Sequence, residues 1–327
     1  MISRRHVAAG LTLASFAGSA TAQTGIQLRV STAAPPSDFL SKSLEQFKAE
    51  IEKANAGVTV GVFPASTLFR QGAEVQALQR GNLEMSTMTT FEVAQQVPEM
   101  GFFNRGYLFR DHDHLRHVFD GPIGVDYRRM VAEKMGIEIL STAYLGTRQV
   151  GLRTKRGVRT PADLAGVKMR MPAGPEWLLL GKTLGVSPVP LGMPEVYLAL
   201  KTGTIDGQEN PLSIFSAAKL YEVSEQIVLT SHMLQPVFFS IAKPVWDKLS
   251  TDQKKLVEAA ARSAATANDA GRLADEKTVA EAMKGRGLTV DAIDLAPFRA
   301  AADMAYGDGD VTRAWDKAWM KRVLETA

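Results

Sequence analysis

Two arginines and one asparagine are the side chains in this sequence best suited to hold an anion. Arg170 lies at the carboxyl end of a strand predicted over 167–171, where open α/β sheets place their ligands. A guanidinium fixed there offers two parallel N–H donors to a carboxylate. Arg148 follows a strand predicted over 137–145, and Asn210 precedes a proline in a predicted loop, where its amide can donate and accept. The pattern predicts a carboxylate site.

Each of these residues also has an ordinary structural interpretation. Arg170 could end an edge strand at the surface, and Arg148 could lie in a solvated loop. Asn210 could form an Asx turn. The residues alone leave these alternatives open.

Other reactive side chains are weaker candidates. The segment 111–117 contains three histidines and two aspartates, but no histidine pair is spaced i,i+4 and the chain has no cysteine. We instead expect Asp113 to cap a helix. The sequence lacks the nucleophile elbow, the zinc-protease motif, the P-loop and the G-x-G-x-x-G motif. We therefore predict no metal, no cofactor and no catalytic residue.

The composition predicts a folded protein that needs no disulfides. The chain has 327 residues, of which 45% are hydrophobic and 22% charged. Its formal charge is +3, and no run of five like charges occurs. Because no basic face is evident, we do not expect a nucleic-acid partner.

The amino terminus predicts export. Residues 1–22 begin with a basic region that includes Arg4 and Arg5, continue through an apolar stretch at 7–18, and end in small residues before Gln23. The two arginines fit a twin-arginine signal or an ordinary secretion signal. Either route leads to the periplasm.

Strand and helix periodicities alternate along the rest of the chain. Segments 27–31 and 58–63 flank a helical pattern at 38–54, which predicts a β-α-β unit. The same order recurs over 160–203. A helix predicted from 251 to 284 would be about 50 Å long, more than the width of one small domain. We expect an α/β fold with two lobes and a long helix that spans both.

Both predicted cores draw on separated segments, with crossing points near Leu145 and Gln235. Two strands should therefore join the lobes and form a hinge. We predict a first lobe of residues 23–145 plus 236–275 and a second lobe of residues 146–235 plus 276–327.

Three stretches form specific motifs: GTRQ at 146–149, DLAGVKMRMP at 163–172 and PEVYLALKTGTIDGQENPL at 194–212. Together with 62–68 and 74–81, they resemble the DctP-like solute-binding proteins of TRAP transporters, the tripartite ATP-independent periplasmic systems. The resemblance implies a two-lobed periplasmic protein of the Venus-flytrap type. Such a protein closes on an organic acid and delivers it to integral-membrane permease subunits that use an ion gradient.

The resemblance also assigns roles to site residues. Arg170 matches the arginine that makes the two-pronged contact with the ligand carboxylate. Arg148 matches the second cationic contact, and Asn210 matches the amide contact from the Q-E-N-P segment.

Three further positions match the walls of the family's ligand site. Met193 falls where an aromatic or apolar wall is common, and Thr89 falls at a variable specificity position. Trp177 would suit an apolar or aromatic carboxylate, although helix packing is its alternative role. We expect a monomeric binding protein. The alternatives are a ligand-binding component of a periplasmic sensing system and, in third place, a two-lobed periplasmic enzyme.

Overall fold

The computed structural model describes residues 25–307 and 309–327. The predicted export segment 1–22 lies outside the described residues and stays a prediction. Within the described ranges, every helix is too short or too polar to cross a membrane.

Strands and helices alternate along the described chain. The strands are β1 (Ile26–Ser31), β2 (Val58–Phe63), β3 (Met85–Thr89), β4 (Ile137–Leu152), β5 (Lys168–Met171), β6 (Ser187–Pro190), β7 (Gly207–Pro211), β8 (Gln226–Ala242) and β9 (Thr289–Ala292). The helices are α1 (Phe39–Lys53), α2 (Glu74–Gln79), α3 (Thr90–Ala94), α4 (His112–Asp120), α5 (Pro122–Met135), α6 (Pro175–Thr183), α7 (Val196–Thr202), α8 (Leu212–Ala217), α9 (Lys243–Lys248), α10 (Thr251–Glu276), α11 (Val279–Gly285), α12 (Ala296–Ala305) and α13 (Lys317–Glu325). Short 3-10 turns occupy Pro98–Asn104, Pro161–Leu164, Met193–Glu195, Leu220–Glu222 and Thr312–Ala314.

The strands form one mixed sheet in the order β2-β1-β3-β8-β4-β7-β5-β6, with β9 paired to β8. Strands β4 and β8 have 16 and 17 residues and pair antiparallel along their length. Strands β1, β2 and β3 lie beside one half of this pair, and β5, β6 and β7 lie beside the other half. We call these the first and second lobes. The α/β fold is confirmed, and β4 and β8 run through both lobes.

The ladder between β4 and β8 is irregular where it passes between the lobes. Gly146 pairs with Gln235, and register shifts occur on both sides of this pair. Gly146 has a φ of +121°, and a Cβ there would lie 2.6 Å from the Cβ of Pro211. A side chain at this position would therefore be strained and would clash. The crossing coincides with the place that the sequence predicts.

Two predicted boundaries near the site are wrong. The strand predicted over 137–145 continues to Leu152, so Arg148 lies within β4 and not in a loop after it. Asn210 lies in β7 opposite Gln149, not in a loop. Strand β4 continues because it pairs with β7 on one edge and with β8 on the other over 148–152. Asn210 precedes a proline, and the extended backbone that a proline requires of the preceding residue is also the backbone conformation of a strand.

Helix α10 begins as predicted, with Ser250 as its N-cap and Gln253 completing a capping box. It ends at Glu276 and not near 284. Its 26 residues span about 39 Å. The Thr278 hydroxyl and N–H both donate to the Asp275 carbonyl, so the chain turns before α11.

Helix α10 is in contact with both lobes. Arg272 is fully buried and donates to Asp38, the N-cap of α1, and to Ser213 in α8. The Arg272 guanidinium therefore connects first-lobe and second-lobe elements through one side chain.

The carboxyl-terminal helix packs in the first lobe. Val323 of α13 belongs to the apolar cluster that includes Val118 of α4 and Tyr127 of α5. Arg322 donates to Asp126 on the same surface. The lobe boundaries expected from the sequence stay a prediction.

Candidate functional site

A cleft between the two lobes is lined by all six residues that the sequence singles out. It encloses about 660 Å³, open solvent included. The six residues are Thr89, Arg148, Arg170, Trp177, Met193 and Asn210. The structure thus brings together residues that are up to 121 positions apart in the sequence. Their roles in binding stay predictions.

Arg170 ends in the cleft, where only 1% of the residue is exposed. Its Nε donates to the Leu191 carbonyl at 2.8 Å, and its Nη2 donates to Gln71 Oε1 at 3.0 Å. Burial lowers the pKa of Arg170 to about 10, so the side chain is charged at neutral pH. A surface position is excluded, and Nη1 has no hydrogen bond with any described residue.

Arg148 is held by a buried carboxylate. Its Nε and Nη2 donate to the two carboxylate oxygens of Glu209 at 2.5 and 2.8 Å. Its Nη1 donates to Gln235 at 2.7 Å, and Nη2 also donates to Asn210 Oδ1 at 3.1 Å. The solvated-loop alternative is wrong, because Arg148 is 3% exposed. Glu209 neutralises much of its charge within the protein.

Glu209 is ionised although it is fully buried. Burial raises the pKa of Glu209, but Arg148 and His232 outweigh it and lower this pKa to about 2. The Nε2 of His232 lies 3.1 Å from Glu209 Oε2. Since an ionised carboxylate only accepts, Nε2 is the donor, and Nδ1 accepts from the Thr230 hydroxyl at 2.8 Å. Burial lowers the pKa of His232, which favours this neutral form.

Asn210 is oriented by its neighbours in the same strand and in the cleft. Its Nδ2 donates to Gln208 Oε1 at 2.6 Å and lies 3.7 Å from the sulfur of Met193. The Met193 N–H donates to Gln71 Oε1 at 3.0 Å. Asn210 therefore makes strand and side-chain contacts and forms no Asx turn.

Trp177 in α6 packs and also lines the cleft. Its ring meets Phe91 of the first lobe edge to face, with centroids 6.4 Å apart. Arg148 Cζ lies 4.8 Å from the ring centroid, within the range of a cation–π contact. The indole thus packs against the Arg148 guanidinium and also contacts the first lobe through Phe91.

The first lobe contributes two acids to the cleft. Glu92 Oε2 accepts from the Thr89 N–H at 2.7 Å and from its hydroxyl at 2.6 Å. Glu74 Oε2 accepts from the Gly72 N–H at 2.7 Å. Burial raises the pKa of Glu92, and burial together with Glu92 raises the pKa of Glu74 to about 8. At neutral pH Glu74 is mostly protonated.

Comparison with known proteins identifies the family. The model described as "Bacterial extracellular solute-binding protein, family 7" matches residues 30–309. This chain belongs to that family. It is a DctP-like periplasmic binding protein of the TRAP type, as its motifs indicate. Members of the family are substrate-binding proteins and not enzymes, and they are periplasmic.

Individual relatives cover nearly the whole binding protein. A solute-binding protein of Verminephrobacter eiseniae is 35% identical over 94% of this chain and 89% of its own length. A TRAP solute-binding protein of Roseobacter denitrificans, solved with 3-deoxy-D-manno-oct-2-ulosonic acid, has a TM-score of 0.89 at 36% identity. It covers 93% of this chain and 100% of that chain. A Polaromonas protein bound to D-erythronate has a TM-score of 0.85 at 29% identity, covering 92% and 99%. These structures confirm the two-lobed fold.

Several residues that shape the cleft of this binding protein have no predicted role in ligand binding. They are Gln71, Glu74, Phe91, Glu92, Glu209, His232 and Gln235. One signal was available, because Thr89 and Glu92 have the spacing of a capping box at the end of a predicted strand. The others depend on pairings between distant segments.

In the histidine-rich segment of the binding protein, Asp111 and His114 make hydrogen bonds that hold the fold. Asp111, and not Asp113 as predicted, caps α4 by accepting from the His114 N–H at 2.8 Å. The His114 Nε2 lies 2.9 Å from the Val323 carbonyl. Within 25–307 and 309–327, no three His, Cys, Asp or Glu residues lie close enough together to hold a metal ion.

Proposed function

We propose that this protein captures an organic acid by its carboxylate in the interlobe cleft and delivers it to the membrane subunits of a TRAP transporter. The observation that carries the proposal is the Arg170 guanidinium, which is buried, charged and lines the cleft with Nη1 unbonded among the described residues. The acids bound by the relatives from Roseobacter denitrificans and Polaromonas support the same ligand class.

The energetics require more than one contact. A charge-assisted hydrogen-bonded pair contributes about 1.5 to 3 kcal/mol, whereas micromolar affinity requires about 8 kcal/mol. Arg148 and Asn210 supply further polar contacts, and Trp177 supplies apolar area. An acid that binds the closed arrangement of the lobes more tightly than the open arrangement shifts the equilibrium towards the closed one.

The lobes would close about the irregular crossing of β4 and β8 at Gly146 and Gln235. Because Val323 and Trp315 pack in the first lobe's apolar cluster, we place the carboxyl-terminal helix with the first lobe. The mature protein would begin at Gln23 after cleavage during export, and it would act as a monomer.

Thermal-shift screening of the mature protein tests ligand capture. The panel contains keto, hydroxy, aromatic and sugar acids, each with its neutral amide. A captured acid raises the melting temperature, its amide does not, and no product forms. Product formation would favour the enzyme alternative. A panel in which amides stabilise the protein as well as acids would contradict the proposal.

A pull-down from membranes tests delivery. Mature protein loaded with the acid that gives the largest thermal shift should retain the two TRAP membrane subunits. Arg170→Ala at the same acid concentration is the matched control, since it would not be loaded. Retention of a sensor kinase in place of a permease would favour the sensing alternative.

A further inference from the structure

Helix α10 contacts β4 on both sides of the crossing between the lobes. Before Gly146, the Asp269 carboxylate accepts from the Tyr144 N–H at 2.7 Å. After Gly146, Glu276 Oε1 accepts from the Thr147 N–H at 2.8 Å. We infer that Glu276 is a positioning residue that holds β4 in the arrangement of the closed lobes and thereby slows release of the ligand. This inference rests on the proposed function.

The backbone of β4 has few strand partners at the crossing. Strand β7 pairs with β4 only from Arg148 onwards, and Pro236, which lies opposite Tyr144 in β8, has no N–H. Side chains of α10 bind both backbone groups of Tyr144, because Asp269 accepts from its N–H and Asn268 donates to its carbonyl at 2.7 Å. Helix α10 therefore takes the place of a strand along this edge of β4.

The two contact points match in length. Asp269 and Glu276 are seven residues apart in α10, which is about 10.5 Å at the rise of a helix. Tyr144 and Thr147 are three residues apart in β4, which is about 10 Å at the rise of a strand. The helix thus holds the backbone on both sides of Gly146 in one relative orientation. The φ of +121° at Gly146 is the unusual backbone conformation that this orientation requires.

The same carboxylate also binds a buried hydroxyl group. The Tyr144 hydroxyl donates to Glu276 Oε1 at 2.9 Å. Because this hydroxyl has only one proton, it accepts from the Thr147 hydroxyl at 2.5 Å. Burial and Glu276 raise the pKa of Tyr144, so its proton stays in place at neutral pH. Glu276 therefore holds Thr147 both directly and through Tyr144.

This contact lies beside the ligand cleft without forming part of it. Leu145 and Arg148 both line the cleft. They directly follow the two β4 residues that α10 holds. Glu276 does not line the cleft, so it acts on a bound ligand through β4.

The arrangement of these contacts is that of closed lobes, because Phe91 and Trp177 meet across the cleft. When the lobes open, the backbone rotates about the crossing and Thr147 moves relative to Tyr144. Glu276 then cannot keep its hydrogen bonds to both residues at these distances. Losing a bond raises the free energy of the open arrangement, so the ligand should leave more slowly with Glu276 than without it.

Stopped-flow fluorescence and calorimetry on the mature protein test this role, with the acid that gives the largest thermal shift. Glu276→Ala should weaken binding at least tenfold through faster dissociation, with an association rate within threefold of the unsubstituted protein. Glu276→Gln keeps an oxygen that accepts from Thr147, so its affinity should stay within threefold. Glu281→Ala in α11 is the matched control, because Glu281 is an exposed acid paired with Lys284, and it should bind normally.

The distance between the lobes gives a readout that needs no ligand. The chain has no cysteine, so Gln76→Cys in α2 and Lys182→Cys in α6 place two fluorescent labels at exposed sites on opposite lobes. Single-molecule energy transfer between these labels should show a broader distance distribution in Glu276→Ala, because the crossing is then held at one point and not at two. Glu276→Gln should match the unsubstituted protein.

The outcomes separate this inference from the proposed function. An unchanged dissociation rate or an unchanged distance distribution in folded Glu276→Ala overturns the inference, and a change confined to the melting temperature marks a purely structural contact. Ligand release from Glu276→Gln as fast as from Glu276→Ala also overturns it. If no acid binds, the proposed function fails, and the distance distribution still decides whether Glu276 positions the lobes.

Discussion

Arg170 and Gln71 lie on opposite walls of the cleft and are joined by a hydrogen bond of 3.0 Å from Nη2 to Oε1. The same Gln71 oxygen accepts from the Met193 N–H at 3.0 Å. Two second-lobe donors therefore meet one first-lobe acceptor. If a carboxylate binds the Arg170 fork as proposed, it would share or take over the donor that Gln71 uses, and ligand binding would then be linked to contact between the lobes.

Arg170→Lys should weaken binding of the best acid in the panel at least 100-fold, about 2.7 kcal/mol. Lysine keeps the charge but loses the planar fork and cannot make the Leu191, Gln71 and ligand contacts together. Calorimetry gives the affinity. Arg70→Lys, at an exposed ion pair with Glu195, is the control and should bind normally. Unchanged affinity in Arg170→Lys would contradict the assigned role.

Glu209→Gln should lower the free energy of unfolding by about 3 kcal/mol. The substitution leaves the Arg148 charge buried without its carboxylate, and removing one partner of a buried pair typically costs 3 to 5 kcal/mol. Urea denaturation measures the change. Glu195→Gln, at an exposed pair, should change stability by less than about 0.5 kcal/mol. A similarly small effect at Glu209 would show that the pair contributes little.

Local patterns in the sequence predict the second-lobe wall well. Arg170 stands at a strand end, Trp177 lies just inside a helix that begins with a proline, and both line the cleft. Their spacing along one strand-turn-helix unit fixes their positions. The same logic predicts the start of α10 from Ser250, because a capping box is local chemistry.

The other parts of the site depend on contacts that spacing does not contain. Glu209 meets Arg148 because β7 pairs with β4, and Gln71 meets Arg170 only where the lobes come together. Glu74 and Glu92 lie on two short helices, α2 and α3, and they form an acidic pair only because both helices line the same cleft. A single sequence does not predict which distant segments meet, so these residues were missed.

Stability should depend on pH through Glu74. Because burial and Glu92 raise its pKa from 4.5 to about 8, the folded chain binds this proton more tightly than the unfolded chain. The resulting stability is complete below about pH 4.5 and is lost as the pH rises towards 8, by up to about 1.4 kcal/mol per pH unit. Glu74→Gln cannot titrate.

Urea denaturation at pH 5, 6, 7 and 8 checks this dependence. Glu74→Gln should become more stable relative to the unsubstituted protein as the pH rises across this range. Both proteins retain Glu92 and the other acids, so the difference between their profiles isolates Glu74. Parallel profiles would mean that Glu74 titrates at an ordinary pKa in the folded protein.

Gly271→Ala should destabilise the protein by about 1 to 2 kcal/mol, although alanine is the better helix former by about 1 kcal/mol. A Cβ at position 271 of α10 would lie 2.6 Å from Cδ1 of Phe39, whose ring also packs near Arg272. The ring must move, and overpacking typically costs 1 to 3 kcal/mol. Gly285→Ala in α11 is the control, because no atom lies within 4 Å of the added Cβ. That variant should be neutral or more stable in urea denaturation. A gain in stability at both glycines would show that the close approach of α1 to α10 does not require Gly271.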